Sequence, residues 1–127
     1  MNNFPENLKY TREHEWLREE GSEGVVGLTD YAQKELGDIV FIDIDTNGDT
    51  LAADEKFGSI EAVKTVADMY MPVGGKIIAV NPKLESAPET VNKDPYGEGW
   101  LIRIQITNPI ELNGLLLAND YEELVSE

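Results

Sequence analysis

Apolar and polar residues alternate with a period of two in parts of this chain, as they do in half-buried β-strands. The alternation is clearest in residues 100–107, WLIRIQIT. Residues 39–44 form a β-branched run typical of another strand, and residues 10–18 and 24–28 flank a polar turn and predict a hairpin. The Pro- and Gly-rich residues 81–99 show no period and predict an ordered wrapping loop. We expect roughly six or seven short strands and a mostly β fold.

Two segments interrupt the alternation with signals for helix starts. Thr29 offers a capping side chain to a short helix over residues 31–36, and Gly37 ends that helix because glycine tolerates a positive φ. A second helical region begins with Asn-Pro at residue 108 and is expected to break at the Asn-Asp pair of residues 119–120. The predicted helices are therefore short and lie at the edges of the β structure.

Residues 57–80 carry the most unusual local pattern, a lysine at the predicted tip of a β-hairpin. Lys64 is preceded by Val63 and followed by Thr65, although turns that face water normally use Gly or Asn. The turn signal at residues 72–75 and the apolar strand after it complete a frame around this tip. A lysine at a hairpin tip is in most cases a solubilising surface residue. The β-branched residues on both sides make a modified or functional lysine the alternative interpretation.

Composition limits the chemistry that the chain can perform. The 127 residues, of which 41% are hydrophobic, predict one domain over residues 1–127 with a real core. The net charge of −15 disfavours nucleic-acid and membrane partners. Without cysteine there is no disulfide, thiolate nucleophile or cysteine metal site. The N-terminal residues do not match a signal peptide and no apolar run could span a bilayer, so we expect a cytoplasmic protein.

Candidate catalytic groups are few. His14 is the one histidine and lies between Glu13 and Glu15. Neighbouring residues on a strand point to opposite faces, so a surface or strand-end histidine is a simpler interpretation than a general base or metal ligand. A serine triad lacks partners, and Gly74-Gly75 does not have the spacing of a phosphate-binding loop. We expect a protein that is not an enzyme and has no metal site.

Segments that match a known family occur in the family's order along nearly the whole chain. They are Leu8-Lys9-Tyr10-Thr11, His14-Glu15-Trp16, residues 27–33, residues 36–41, Glu61-Ala62-Val63-Lys64, Asp68, Pro72-Val73, Gly75, Val80-Asn81, Val91-Asn92, Pro95-Tyr96-Gly97 and Gly99-Trp100-Leu101. Together they resemble the H protein of the glycine cleavage system, a family of lipoyl carriers. The resemblance implies a barrel-sandwich hybrid similar to lipoyl domains, with short peripheral helices and a C-terminal helix.

The resemblance also implies the site residues. Lys64 would carry lipoic acid in an amide linkage, and Glu61 and Gly75 would be recognised by the lipoylating enzymes. Glu15 and Asp68 would line a surface groove in which the loaded arm rests. A carboxylate there could pair with a cationic amine on the arm.

The function that the resemblance implies is transport between enzymes. The lipoyl arm would accept an aminomethyl group at a PLP-dependent glycine decarboxylase and give its methylene to tetrahydrofolate at an aminomethyltransferase. A dihydrolipoamide dehydrogenase would then reoxidise it. The alternatives are a relay that donates lipoyl groups to other complexes, a biotin carrier, a 2-oxoacid dehydrogenase lipoyl domain, or a binding module with an unmodified lysine. Biotin carriers usually have Met on both sides of the lysine, where this chain has Val63 and Thr65.

Overall fold

The computed structural model describes residues 3–126 and shows two antiparallel β-sheets. The strands of these residues, in chain order, are β1 (Lys9–Tyr10), β2 (Glu15–Glu20), β3 (Glu23–Leu28), β4 (Ile39–Asp43), β5 (Thr50–Leu51), β6 (Lys56–Ala62), β7 (Val66–Tyr70), β8 (Gly75–Val80) and β9 (Ile102–Ile106). One sheet has the order β1-β2-β3-β9-β8-β5, and the other has the order β4-β6-β7. The predicted mostly β fold is confirmed, with nine strands in the described residues where six or seven were expected, since β1 and β5 have only two residues each.

The first predicted hairpin occurs, but its first strand is divided. β2 and β3 pair as expected from residues 10–18 and 24–28. Just before β2, the N–H of Thr11 donates to the carbonyl oxygen of Glu15 at 2.9 Å. The N–H of His14 donates to the carbonyl oxygen of Thr11 at 3.1 Å. This tight turn separates β1 from β2.

Residues 81–99 are ordered, as predicted, but they are not an irregular loop. They contain two one-turn helices, α2 (Lys83–Ser86) and α3 (Thr90–Lys93). Pro82 and Pro88 precede the two helices, at positions where a missing N–H removes no helical hydrogen bond. Helices of four residues are too short to show a helical period in the sequence. The Pro and Gly residues around them therefore led to the prediction of a loop.

Helix α1 forms as predicted, over Asp30–Leu36. Thr29 Oγ1 accepts a hydrogen bond from the N–H of Ala32 at 3.1 Å, and Gly37 ends the helix with φ of 80°. No helix within residues 3–126 is long and apolar enough to cross a membrane.

The C-terminal helical region breaks earlier than the sequence suggested. A 3₁₀ helix covers Pro109–Gly114, and α4 covers Ala118–Val125. Between them, Leu116 exchanges two backbone hydrogen bonds with Tyr10, at 2.9 and 2.8 Å. The break expected at residues 119–120 was wrong, because those residues lie in the first turn of α4 and the interruption comes from pairing with β1.

The two sheets enclose one core, and a second cluster covers the other face of the larger sheet. Adjacent residues of β2 show the division, since Leu17 belongs to the core between the sheets and Trp16 to the second cluster. In the second cluster the rings of Tyr10 and Tyr121 stack with centroids 4.9 Å apart, which fastens α4 to the sheet. Buried side chains of the first core come from both sheets: Leu17, Val26, Ile39, Phe57, Ile60, Met69, Ile77, Ile102 and Ile104.

Candidate functional site

Lys64 lies at the tip of the hairpin formed by β6 and β7, and its side chain is exposed. Two backbone hydrogen bonds brace this tip. The N–H of Ala62 donates to the carbonyl oxygen of Thr65 at 2.8 Å, and the N–H of Val63 donates to that of Asp38 at 3.0 Å. The predicted hairpin is confirmed, and it presents the lysine amine to solvent from an ordered backbone.

The tip explains why its lysine is flanked by β-branched residues. Left-handed backbone conformations in residues 3–126 occur elsewhere, at His14 and Asp54 and at glycines 21, 37 and 48. Residues 63–65 therefore do not need the conformational freedom of Gly or Asn. β6 ends at Ala62 and β7 begins at Val66, so Val63 and Thr65 lie in the turn itself, with φ values that β-branched residues tolerate.

Glu61 lies on the exposed face of β6, the central strand of the three-stranded sheet, one residue before the strand ends. It stands opposite Phe41 of β4 on one side and Val66 of β7 on the other. All three side chains are exposed, so they form a row across the sheet next to Lys64. The role of Glu61 in recognition by lipoylating enzymes stays a prediction, and its side chain is accessible for such a contact.

Gly75 lies away from the tip, at the start of β8, while Lys64 lies at the opposite end of β7. Gly75 is buried, and a Cβ atom there would come within 2.7 Å of the carbonyl oxygen of Gln105 on β9. The close approach of two paired strands therefore explains why this position needs glycine, independently of any enzyme. Its role in enzyme recognition stays a prediction.

A groove of about 260 Å³ runs beside the hairpin, between β7 and α1; we call it the hairpin groove. Its floor is apolar and its rim carries carboxylates. The lining residues are Glu13, His14, Leu28, Tyr31, Ala32, Glu35, Leu36, Ile60, Ala67, Asp68 and Met69.

Asp68 is the sequence-predicted site residue that borders the hairpin groove. It lies four residues from Lys64 along the chain, at most about 13 Å at roughly 3.3 Å per fully extended residue. Its Oδ1 lies 3.2 Å from Nζ of Lys56 across the hairpin, in an exposed ion pair. Glu13 and Glu35 share the rim, and sequence reasoning did not single them out. One signal for Glu35 was available, since Tyr31 stands four residues before it on a predicted helix.

Glu15 is placed differently from Asp68. Its side chain is buried, with Oε1 accepting from Thr11 Oγ1 at 2.8 Å and Oε2 accepting from the N–H of Tyr70 at 3.1 Å. Burial raises the pKa of its carboxyl group to about 8, against the lowering effect of these two hydrogen bonds. It borders a separate cavity of about 710 Å³ that also contains Asp54. Contact of Glu15 with the arm stays a prediction, and Asp68 is the better placed carboxylate.

His14 lies immediately before β2, where its Nδ1 is 2.8 Å from the hydroxyl oxygen of Tyr121. Burial lowers the pKa of its imidazole, which favours the neutral ring. Its ring also contacts Tyr31, with centroids 5.1 Å apart. Across residues 3–126, no group of three or more His, Asp or Glu side chains is arranged to hold a metal ion. The contacts of His14 favour a structural role at the groove wall.

Known proteins match this sequence along nearly its whole length. A family model described as glycine cleavage H-protein matches residues 8–127. A glycine cleavage system H protein of Bacteroides fragilis is 57% identical over 124 residues, which cover 98% of each chain. That of Symbiobacterium thermophilum is 50% identical over 127 residues, covering 100% of this chain and 99% of the relative.

A solved structure shows the same architecture. The crystal structure of a glycine cleavage system H protein from Mycobacterium marinum superposes with a TM-score of 0.82 at 35% identity, over 94% of this chain and 96% of that one. Sequence and structure comparisons therefore agree over nearly the whole chain. The chain belongs to the glycine cleavage H-protein family.

Proposed function

We propose that this chain is the lipoyl carrier of a glycine cleavage system, with lipoic acid bound in an amide linkage to Lys64. Family membership supports the carrier role, and the exposed position of Lys64 at a braced hairpin tip supports the attachment site. The cargo is the aminomethyl group derived from glycine. The partners are a PLP-dependent glycine decarboxylase, an aminomethyltransferase, a dihydrolipoamide dehydrogenase and the lipoylating enzymes, in the cytoplasm.

The hairpin groove is the observation that carries this proposal. Its apolar floor, which includes Ile60 and Met69, matches an aliphatic chain, and its rim of Glu13, Glu35 and Asp68 matches a cation. Neither lysine nor arginine is among the residues that line it. An extended lysine stem joined to a lipoyl chain is long enough to reach Asp68 from the tip. The groove therefore fits an aliphatic arm that ends in an amine.

The residues of this chain supply attachment, orientation and shielding. Lys64 provides the amine for the amide bond, which removes the charge of that side chain. Asp68 is placed to pair with the ammonium group of the cargo. The apolar floor of the groove excludes water from the aliphatic arm that rests on it. When bound, the dithiolane supplies the sulfur chemistry that a cysteine-free chain lacks.

Peptide mass spectrometry of the protein purified from its native host tests the attachment. Trypsin does not cleave after an acylated lysine, so residues 57–76 are expected as one peptide that carries the mass of a lipoyl group on Lys64. Cleavage after Lys56 and Lys76 serves as the internal control for digestion. An unmodified site, cleaved freely after Lys64, would contradict the proposal, and the mass of biotin there would make the chain a biotin carrier.

A further inference from the structure

Three side chains connect the C-terminal helix to the wall of the hairpin groove. The hydroxyl oxygen of Tyr121, on α4, lies 2.8 Å from Nδ1 of His14 and 2.8 Å from Oγ1 of Thr29. Thr29 and Tyr121 are fully buried, and His14 lines the groove. We call these three residues the hydroxyl–imidazole chain. The proposed function gives them no role.

The directions of these hydrogen bonds follow from counting the protons. Thr29 Oγ1 also accepts from the N–H of Ala32 at 3.1 Å, and within residues 3–126 the Thr29 hydroxyl proton has only Tyr121 as an acceptor. A buried hydroxyl proton without an acceptor is costly, so Thr29 donates to Tyr121. The proton of the Tyr121 hydroxyl is then left for Nδ1 of His14, which accepts it.

These directions fix the tautomer of His14. Burial lowers the pKa of the imidazole, against the raising effect of Glu13 and Glu35, and so favours the neutral ring. A neutral ring carries one proton, and since Nδ1 accepts from Tyr121, that proton lies on Nε2. Nε2 has no partner within residues 3–126, where no buried polar side-chain atom lacks one, so it is accessible at the groove. The imidazole therefore presents an N–H to the groove and no lone pair.

The backbone of His14 is also held by Thr29. Its φ of 72° lies in the left-handed region, which residues other than glycine seldom adopt. The N–H of His14 donates to the carbonyl oxygen of Thr11 at 3.1 Å, and its carbonyl oxygen accepts from the N–H of Thr29 at 3.1 Å. Backbone conformations of this kind are concentrated at functional sites. The backbone of Thr29 thus holds residue 14 while its hydroxyl orients Tyr121 toward the ring.

We propose that Thr29 and Tyr121 hold His14 in a tautomer that cannot remove a proton from the cargo, and that this slows the loss of the aminomethyl group from the arm. This inference rests on the proposed function. His14 borders the same groove as Asp68, which is placed to pair with the ammonium group of the cargo. An imidazole lone pair at this position would ordinarily be a stronger base than the carboxylates of the rim. Thr29 and Tyr121 are positioning residues, because they act through the ring of His14.

Loss of the cargo begins with the removal of a proton. The ammonium group gives a proton to a base, and the nitrogen lone pair forms a C=N bond while the C–S bond breaks and leaves its electron pair on sulfur. Water adds to the iminium carbon and gives formaldehyde and an ammonium ion, and the sulfur takes up the proton that the base received. A donor at Nε2 cannot serve as that base, whereas an unprotonated Nε2 accelerates the first step.

The tautomer is measured directly in the chain without a lipoyl group. His14 is the one histidine of the sequence, so ¹⁵N NMR of the imidazole needs no assignment between residues. Above the pKa of the ring we expect Nε2 to carry the proton and Nδ1 to have the chemical shift of an unprotonated nitrogen. A wild-type protein with the proton on Nδ1 overturns the proposal, and this measurement requires no variant.

Tyr121→Phe removes the donor to Nδ1 and keeps the ring that stacks on Tyr10. Tyr10→Phe is the matched control, because it removes another buried hydroxyl of the same aromatic cluster, one that donates to the carbonyl oxygen of Pro5. After lipoylation and loading with the aminomethyl group, Tyr121→Phe should release formaldehyde about five-fold faster than Tyr10→Phe, which is the factor that one lost hydrogen bond represents. Its ¹⁵N spectrum should show the Nδ1-protonated tautomer gaining population.

His14→Asn separates the lock from general damage to the fold. Asparagine tolerates the left-handed backbone of residue 14 and is not a base. The double variant Tyr121→Phe and His14→Asn should therefore release formaldehyde at the rate of His14→Asn alone. A double variant as fast as Tyr121→Phe, or a Tyr121→Phe no faster than Tyr10→Phe, overturns the proposal. A wild-type chain that is not acylated at Lys64 contradicts the proposed function and the protection of its cargo together, and the NMR measurement distinguishes that case because it needs no lipoyl group.

Discussion

The carboxylate of Glu15 accepts a hydrogen bond from the backbone N–H of Tyr70 at 3.1 Å. Glu15 begins β2 of the larger sheet, and Tyr70 ends β7 of the smaller one, so this bond joins the two sheets at the base of the hairpin that carries Lys64. Because the carboxyl group is buried, its pKa is raised to about 8. The connection between the sheets is therefore sensitive to pH.

Glu15→Gln is expected to stabilise the protein at alkaline pH. Between about pH 4.5 and pH 8 the carboxyl group is protonated in the folded state and ionised in the unfolded state. The unfolded state then binds fewer protons, so the stability of the wild type falls as pH rises through this window. A neutral amide can accept the bond from Tyr70 through its oxygen and donate to Thr11 Oγ1 through its NH2 group, without that dependence. The variant should gain on the order of 3 kcal/mol in unfolding free energy at pH 8 and much less at pH 5.

Urea denaturation at pH 5, 6.5 and 8 measures this difference. Glu122→Gln, at an exposed position of α4, is the control for a change in net charge. A stability difference between Glu15→Gln and wild type that does not vary with pH would show that Glu15 is ionised in the folded state across the range.

Gly75→Ala is expected to destabilise the fold. The added Cβ would lie 2.7 Å from the backbone oxygen of Gln105, so two paired strands would have to separate. Gly74→Ala is the matched control, because its nearest atoms, Oε1 of Glu111 and Oγ1 of Thr107, belong to side chains 3.3 Å away that can move. Unfolding in urea should show a loss on the order of 2 kcal/mol for Gly75→Ala and a smaller one for Gly74→Ala. Equal unfolding free energies for Gly75→Ala and Gly74→Ala would show that close strand packing does not require glycine at residue 75.

Lys64→Ala should abolish glycine–bicarbonate exchange in a reconstituted system and leave the fold intact. The side chain is exposed, and the bonds that brace the tip come from the backbone of its neighbours, so the unfolding free energy should change by less than about 0.5 kcal/mol. Lys76→Ala, at an exposed position of β8, controls for the loss of one positive charge. Exchange that survives in Lys64→Ala would place the attachment site elsewhere.

Local patterns were enough to predict most of the strands and the lysine hairpin. The alternation in residues 100–107 became β9, and the β-branched flanks of Lys64 became an ordered tip without left-handed residues. The break in the C-terminal helix was misplaced because it depends on Leu116 pairing with Tyr10, a contact between distant parts of the chain. Periodicity reports the environment of one segment and does not report which segments meet.

The same limit explains what could be predicted of the site. The hairpin groove combines side chains from the turn before β2, from α1 and from β7, and the rim residues Glu13 and Glu35 appear in the sequence as ordinary surface carboxylates. The burial of Glu15 was equally hidden. It stands in a run of charged residues, and its burial depends on partners such as Tyr70, which is 55 residues away along the chain.

Lys56 is expected to compete with the cargo for Asp68. Its Nζ lies 3.2 Å from Asp68 Oδ1, so an ammonium group at the end of the arm must displace it to form the same ion pair. Lys56→Met should therefore lengthen the retention of the aminomethyl group in the loaded protein, and Asp68→Asn should shorten it. Both groups are about half exposed, so the change should be roughly two- to five-fold.

The rate at which loaded protein releases formaldehyde measures this competition. Lys83→Met is the matched control, because Lys83 is about as exposed as Lys56 and forms an ion pair of 3.3 Å with Glu98, away from the hairpin groove. The double variant Lys56→Met and Asp68→Asn should behave like Asp68→Asn alone, since the lysine acts through that carboxylate. If Lys56→Met and Lys83→Met release formaldehyde at the same rate, Lys56 does not compete. If Asp68→Asn also matches wild type, the cargo amine pairs with Glu13 or Glu35 instead, because these carboxylates share the rim with Asp68.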